Sequence, residues 1–270
     1  MPCGFAVAAA LFSCVSLNVL ATMDDHVALL QYGSATARCD DCKDPFVDCE
    51  QSPGDERCGH YRRCVTHEGQ SPNLKAKNGS ECTNGKHQVC KVPPNNYAPW
   101  GEYVSGIEHE DIAKWDVLFH CAQFDKGNGG SGFDPSSAML SNTQGHRTKD
   151  TLHVQYRSLN ARGVVVRDAA SAQVNNECHR EYFNKDFVPF TLPACEKCGP
   201  TCKNVRVKGF MSTPNVYSTM LESEVAANMQ TTGAVVFMIN HKPCKRPSSP
   251  PYWYVLMLAE DCPLSWCFFN

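Results

Sequence analysis

Seven cysteines, Cys39, Cys42, Cys49, Cys58, Cys64, Cys82 and Cys90, fall in a stretch rich in Asp, Gly, Pro and Lys. Apolar side chains are too sparse there to close an ordinary core. Crosslinks must therefore carry much of the stability, each contributing about 2–4 kcal/mol. The whole chain holds 17 cysteines in 270 residues, a usage that suits an oxidising compartment better than the cytosol. Cys39-x2-Cys42 also has the spacing of a zinc half-site, with His60, His67 and His87 nearby. In an oxidising compartment the disulfide reading is preferred, and no cofactor is expected.

The leader agrees with that compartment. Met1 through Ala21 carries two apolar runs, Phe5 to Phe12 and Val15 to Leu20, and Val19-Leu20-Ala21 offers a small residue for cleavage. A signal peptide over residues 1–21 is expected, with a buried N-terminal helix or an uncleaved anchor as the alternatives. Cleavage would remove Cys3 and Cys14 and leave fifteen cysteines, an odd number. One thiol is then free, paired with another chain, or catalytic. No other run is long enough to span a membrane, so none is expected to do so once the leader is gone.

Charge excludes little except nucleic acid. Lys and Arg total 25 against 28 acidic residues, and the densest basic cluster is only Lys242, Lys245 and Arg246, read as a solvated turn. Two regions follow from composition, a cysteine-rich one over 22–98 and an α+β one over 99–270. Pro93-Pro94 and Pro99 mark the linker between them. Asn78-Gly79-Ser80 is an acceptor triplet for N-glycosylation.

In the second region Ile112, Trp115, Leu118, Phe119 and Ala122 recur at three- and four-residue spacing, which predicts an amphipathic helix over Asp111–Ala122. The glycine-rich run Gly127 to Gly132 breaks it. Asp134-Pro135 then predicts a second helix through Leu140. Gly163 to Val166 reads as a short buried strand. Cys178, Cys195, Cys198 and Cys202 form a second crosslinked patch whose spacing could also hold a metal; the compartment again favours disulfides. Thr219 to Glu222 fits a capping box, and Tyr217, Leu221, Val225 and Met229 form a helical stripe read as core. Ala234–Ile239 and Tyr252–Leu258 are predicted strands, and Trp266 to Phe269 leaves an apolar tail. Helices and strands occur without a βα rhythm, so the fold class is α+β and disulfide-rich.

These landmarks resemble, in order, the papain-like cysteine peptidases of the cathepsin B branch, over about residues 105–258. Asp111–Cys121 followed by Gly127-Asn128-Gly129-Gly130 is similar to that family's helix, cysteine and glycine turn. Cys178-His179 and Cys195 to Cys198 resemble its cysteine-rich inserts, and Pro251 to Val255 its strand before the catalytic asparagine. The resemblance implies a helical half, a β-rich half and a groove for extended peptides between them. It also implies a bridge from Cys121 back into the preceding region.

The catalytic positions depart from the family. The segment Asn78 to Gly85 puts Cys82 at a structural cysteine and Gly85 at the nucleophile, no Gly-His-Ala run follows Phe237, and the asparagine position falls near Met257. Cys82 and His241 are the least poor candidates for a thiol–imidazole pair, each with a plainer reading as a half-cystine and a turn histidine. Asp125, Asp134, Asp150 and Asp168 have no spacing that sets two carboxylates face to face. The sequence thus points to a secreted or lysosome-like papain-like protein with an impaired site, taking a peptide or protein ligand. The alternative is an unrelated secreted disulfide-rich binding or structural protein. Either way the mature chain should begin near Thr22 and be oxidised. Intact mass with and without reductant checks this, and retention of Met1 or a majority of free thiols contradicts it.

Overall fold

The computed structural model describes residues 47–68, 82–126, 134–142, 151–175, 183, 185–192, 203–223, 234–240, 253–260 and 268–269, all within the unit Arg38–Asn270. Among the described residues nine strands form one antiparallel sheet: β1 (Thr83–Asn84), β2 (His87–Val92), β3 (Asn96–Trp100), β4 (Ser137–Asn142), β5 (Val154–Ser158), β6 (Val188–Pro189), β7 (Lys203–Phe210), β8 (Ala234–Asn240) and β9 (Trp253–Glu260). Their order across the sheet is β1-β2-β3-β5-β4-β8-β9-β7-β6. Among the described residues three α-helices accompany it: α1 (Val117–Lys126), α2 (Ala161–Asn175) and α3 (Val216–Leu221). The α+β class and the disulfides expected from the sequence are present.

Alternate residues of a strand point to opposite faces, and here both faces of the central strands are covered. Tyr254, Leu256 and Leu258 of β9 join Met139 of β4 in a core with Trp115, Leu118 and Phe119. Trp253, Val255, Met257 and Ala259 of β9 join Ala138 and Leu140 of β4 in a second core with Val166 and Ala170 of α2. Val216, Tyr217 and Met220 of α3 belong to the first core. So α1 and α3 lie on one face of the sheet and α2 on the other.

The helix expected over Asp111–Ala122 forms as a 3-10 turn, Ile112–Asp116, running into α1. Ile112, Trp115, Leu118, Phe119 and Ala122 are all fully buried, as their spacing requires. Cys121 on this helix is bridged to Cys82, just before β1. Cys64 is bridged to Cys90 of β2, and Cys49 to Cys58. In 47–68 the buried side chains are Cys49, Cys58, Cys64 and His60. That segment is therefore held largely by its crosslinks and by the small cluster Cys64, Cys90 and Ala98.

Four expectations need correction. The helix predicted after Asp134-Pro135 is instead strand β4: Asp134 caps only a turn, accepting from Ser136 N at 2.8 Å, and β4 then pairs with β5 and β8 along both edges. Every residue of β4 is buried, and alternation between two cores suits a strand better than a one-sided helix.

The strand predicted at Gly163–Val166 lies within helix α2. Asn160 Oδ1 accepts Gly163 N at 2.8 Å, and Val166, Ala170 and Val174 recur every four residues toward the second core, leaving Val165 63 % exposed. Helical spacing and a cap outweigh the strand preference of three valines. Gly163 is needed where Phe268 closes over the helix, since a Cβ there would meet Phe268 O at 2.5 Å.

The proline linker is instead the β2–β3 hairpin. Pro93-Pro94, with a cis bond, forms its turn, and Pro99 lies in β3 opposite Val89. Because β3 also pairs with β5 through Asn96 and Tyr97, the sheet runs continuously past position 98.

The capping box at Thr219 is not used either. Helix α3 starts at Val216, and Leu221 is 37 % exposed rather than part of a buried stripe. Val225 and Met229 lie outside the described residues, as do the leader, Cys39, Cys42, Asn78, the glycine run, the second cysteine patch and the basic cluster.

The buried face of α1 gives a direct stability test. Leu118→Ala should cost about 2–5 kcal/mol, because the cavity adds to the lost transfer energy. Lys114, exposed and paired with Asp111 at the surface, should change stability little when replaced by Ala. Chemical denaturation of the two variants checks this, and equal losses would place the wrong face inward.

Candidate functional site

A group of hydrogen-bonded polar side chains, with Asp116 and Gln123 buried, lies where α1 meets α3. Asp116, His120 and Gln123 fall one turn apart, beside the apolar stripe rather than on it. Each reaches the segment leading into and through the start of α3. Asp116 Oδ1 accepts from Tyr217 N at 2.5 Å and Ser218 N at 3.3 Å, and Asp116 Oδ2 accepts from Ser218 Oγ at 2.5 Å. His120 Nε2 lies 3.1 Å from Asn215 Oδ1. Gln123 Oε1 accepts from Thr213 Oγ1 at 2.6 Å, while its Nε2 donates to Tyr254 Oη at 2.9 Å. Tyr217 Oη donates to Ser141 Oγ at 3.0 Å.

The seam explains how so short a helix is held. Six residues cannot sustain a helix alone in water, and Asn215 at the N-cap makes no side-chain cap bond. Asp116 supplies the cap from another element, satisfying two of the exposed N–H groups and placing negative charge at the positive helix end. Burial pushes the Asp116 carboxyl above the ordinary carboxylate range; the Ser218 hydroxyl, the Tyr217 and Ser218 N–H groups and the charge of His120 pull it down without cancelling that rise.

Chemically the seam contains a serine, a histidine and an acid, but their connections are those of a clasp. The Ser218 hydroxyl donates to the carboxylate rather than to an imidazole, whereas a serine nucleophile is activated by an adjacent base that takes its proton. The imidazole of His120 is paired with an amide oxygen.

Of the two residues singled out as a thiol–imidazole pair, Cys82 is buried and bonded to Cys121, so its sulfur offers no thiolate while that bond stands. His241 lies outside the described residues. Gly85, where the resemblance would put a nucleophile, takes φ 60° in the β1–β2 turn. Met257, at the asparagine position, is fully buried in the second core.

The three histidines considered for zinc each have other neighbours. The His60 ring lies against His153 at 4.7 Å, His67 stacks on Trp100 at 4.1 Å, and His87 Nδ1 faces Glu102 Oε2 at 3.3 Å. Among the described residues no three His, Cys, Asp or Glu side chains are placed to hold a metal. Sequence reasoning passed over Asp116, His120 and Ser218. The available signal was the spacing of Asp116, His120 and Gln123 along one flank of the helix, but nothing in the sequence said that the flank would be covered.

A scan of protein-family models gives no match to this sequence, and a search of curated proteins gives none either.

Removing the clasp should be costly. Asp116→Ala leaves the Tyr217 and Ser218 N–H groups without their acceptor, at about 1–3 kcal/mol. The pH dependence has a defined sign. The folded carboxyl holds its proton more tightly than the unfolded one, so its contribution is full below the unfolded value and is lost as pH rises through the folded value. Relative to Asp116→Asn, the wild type should therefore gain stability from neutral pH down to about pH 4. Denaturant midpoints at both pH values check this, and a relative loss on acidification contradicts it.

Proposed function

We propose that this chain is a secreted, disulfide-stapled binding protein for a peptide or protein ligand, without hydrolytic activity of its own. The observation that carries the reading is the Cys82–Cys121 bridge. The thiol that a peptidase reading would offer as nucleophile is spent on fastening α1 beside β1. Ser218, the serine of the seam between α1 and α3, is likewise committed to Asp116 at the start of α3. Secretion rests on the cysteine content, on the apolar leader and on the three bridges at Cys49, Cys64 and Cys82. Among the described residues no helix is long and apolar enough to cross a membrane.

A second reading, an inactive papain-like relative, has one specific observation in its favour: Cys121 is bridged back into the preceding region, as that resemblance requires. The placement of α1 and α2 on opposite faces of one sheet favours the first.

Native, oxidised protein should show no hydrolysis of peptide substrates and no stoichiometric labelling by an epoxide that alkylates papain-like thiolates. Labelling at about pH 5.5 followed by peptide mapping checks this, since an activated thiolate persists in acid where an ordinary thiol does not. Rapid single-site modification at Cys82, abolished in His241→Ala, would make the chain an active cysteine peptidase instead.

A further inference from the structure

Away from the clasp, the β2–β3 hairpin meets the C-terminal end of α1 in a group of charges that do not balance. Asp125 Oδ2 accepts from both Lys91 Nζ and Tyr97 Oη, each at 2.6 Å. Tyr97 is fully buried, and burial, then Asp125, pushes its hydroxyl far above the usual range, so it remains a donor. Burial raises the Asp125 carboxyl, but the bonds from Lys91 and Tyr97 and the nearby lysine charges outweigh it and leave the group below its ordinary range. Asp125 is thus an anchored anion, already engaged twice.

The next residue, Lys126, has no carboxylate hydrogen-bonded to it among the described residues. Its Nζ donates to Asn95 Oδ1 and lies 5.5 Å above the Tyr156 ring, so its direct contacts are a neutral amide and an aromatic face. Burial, then the charge of Lys91, holds the ammonium below the usual lysine range, with Asp125 opposing. Among the described residues the two ammonium groups therefore share the Asp125 carboxylate. Each carries three N–H donors. The Asn95 NH2 group, whose oxygen faces Lys126, adds a donor with no partner among the described residues. Surplus positive charge, half shielded from water and surrounded by donors, is relieved by an anion bearing several acceptor oxygens.

We propose that Lys91, Lys126 and Asn95 bind a single oxyanion group, a carboxylate, sulfate or phosphate. Asp125 sets the limit on affinity: it holds Lys91 in place while competing with the ligand for it. The site is independent of whether the chain is secreted or hydrolytic.

The test is titration of the full chain with acetate, sulfate and phosphate, balanced with chloride at constant ionic strength so that general screening is common to every arm. Calorimetry and the NMR signals of the two lysine side chains are followed. Saturable binding is expected, and the best-bound anion identifies a carboxylate or a tetrahedral group as the natural ligand. Lys126→Gln keeps an amide donor toward Asn95 but loses the charge, and should weaken binding about tenfold or more. Asp125→Asn keeps an acceptor for Tyr97 and removes the competing carboxylate, so it should tighten binding. Because that variant predicts a gain, damage to the fold cannot imitate it. A linear response to all three anions, a saturable one that Lys126→Gln leaves unchanged, or weaker binding in Asp125→Asn overturns the proposal.

Discussion

Along β9 the side chains alternate between two cores, with Tyr254, Leu256 and Leu258 toward α1 and Trp253, Val255, Met257 and Ala259 toward α2. Each large apolar side chain so buried contributes about 1.5–3 kcal/mol. A strand that needs cover on both faces must lie inside a sheet with helices on each side, and most of the architecture follows. β8 and β7 pair along its two edges, β4 continues the pattern beyond β8, and α2 is fixed close enough to the C-terminal Phe268 that Gly163 has no room for a Cβ. The apolar pattern of the central strands is met by helices on both faces.

At the other end of the sheet the chemistry changes from apolar burial to crosslinking. Segment 47–68 buries little besides its half-cystines and His60. It is coupled to β2 through Cys64–Cys90, and β1 to α1 through Cys82–Cys121. These bridges close loops of 26 and 39 residues in sequence separation, lengths at which constraining the unfolded chain is worth a few kcal/mol each. The bridge that secures the organising helix is also the one that withdraws Cys82 from thiol chemistry. Stability and the lack of a nucleophile there have one cause.

Two carboxylates show how position sets the behaviour of one residue type. Asp116 is covered by α3, and burial dominates despite the hydrogen bonds it accepts, so its proton is held more tightly. Asp125, anchored by Tyr97 and facing Lys91, stays ionised to lower pH than usual. Acidification therefore acts in opposite directions at the two ends of α1. It relieves the buried charge beneath α3 and weakens the pairing beside the β2–β3 hairpin.

Local periodicity was enough to reveal the buried face of α1, because Ile112, Trp115, Leu118, Phe119 and Ala122 follow the period of a helix whatever covers them. The strands at Ala234 and Trp253 were legible from their apolar runs, and the crosslinked character of the region before residue 98 from cysteine density alone. What could not be read locally was decided by partners far away in sequence. Ala138-Met139-Leu140 is a strand because β5 and β8 pair with it on either side, and Val164-Val165-Val166 is helical because its later turns face a core built from β7 and β9. Asp116 became the cap of a helix 101 residues away, a pairing that no spacing rule encodes. The amino-acid order determined which faces must be dry and which sulfurs were available to bond. Only tertiary packing decided what covers those faces, since burial and hydrogen-bond satisfaction depend on neighbours that the chain brings together only when it folds.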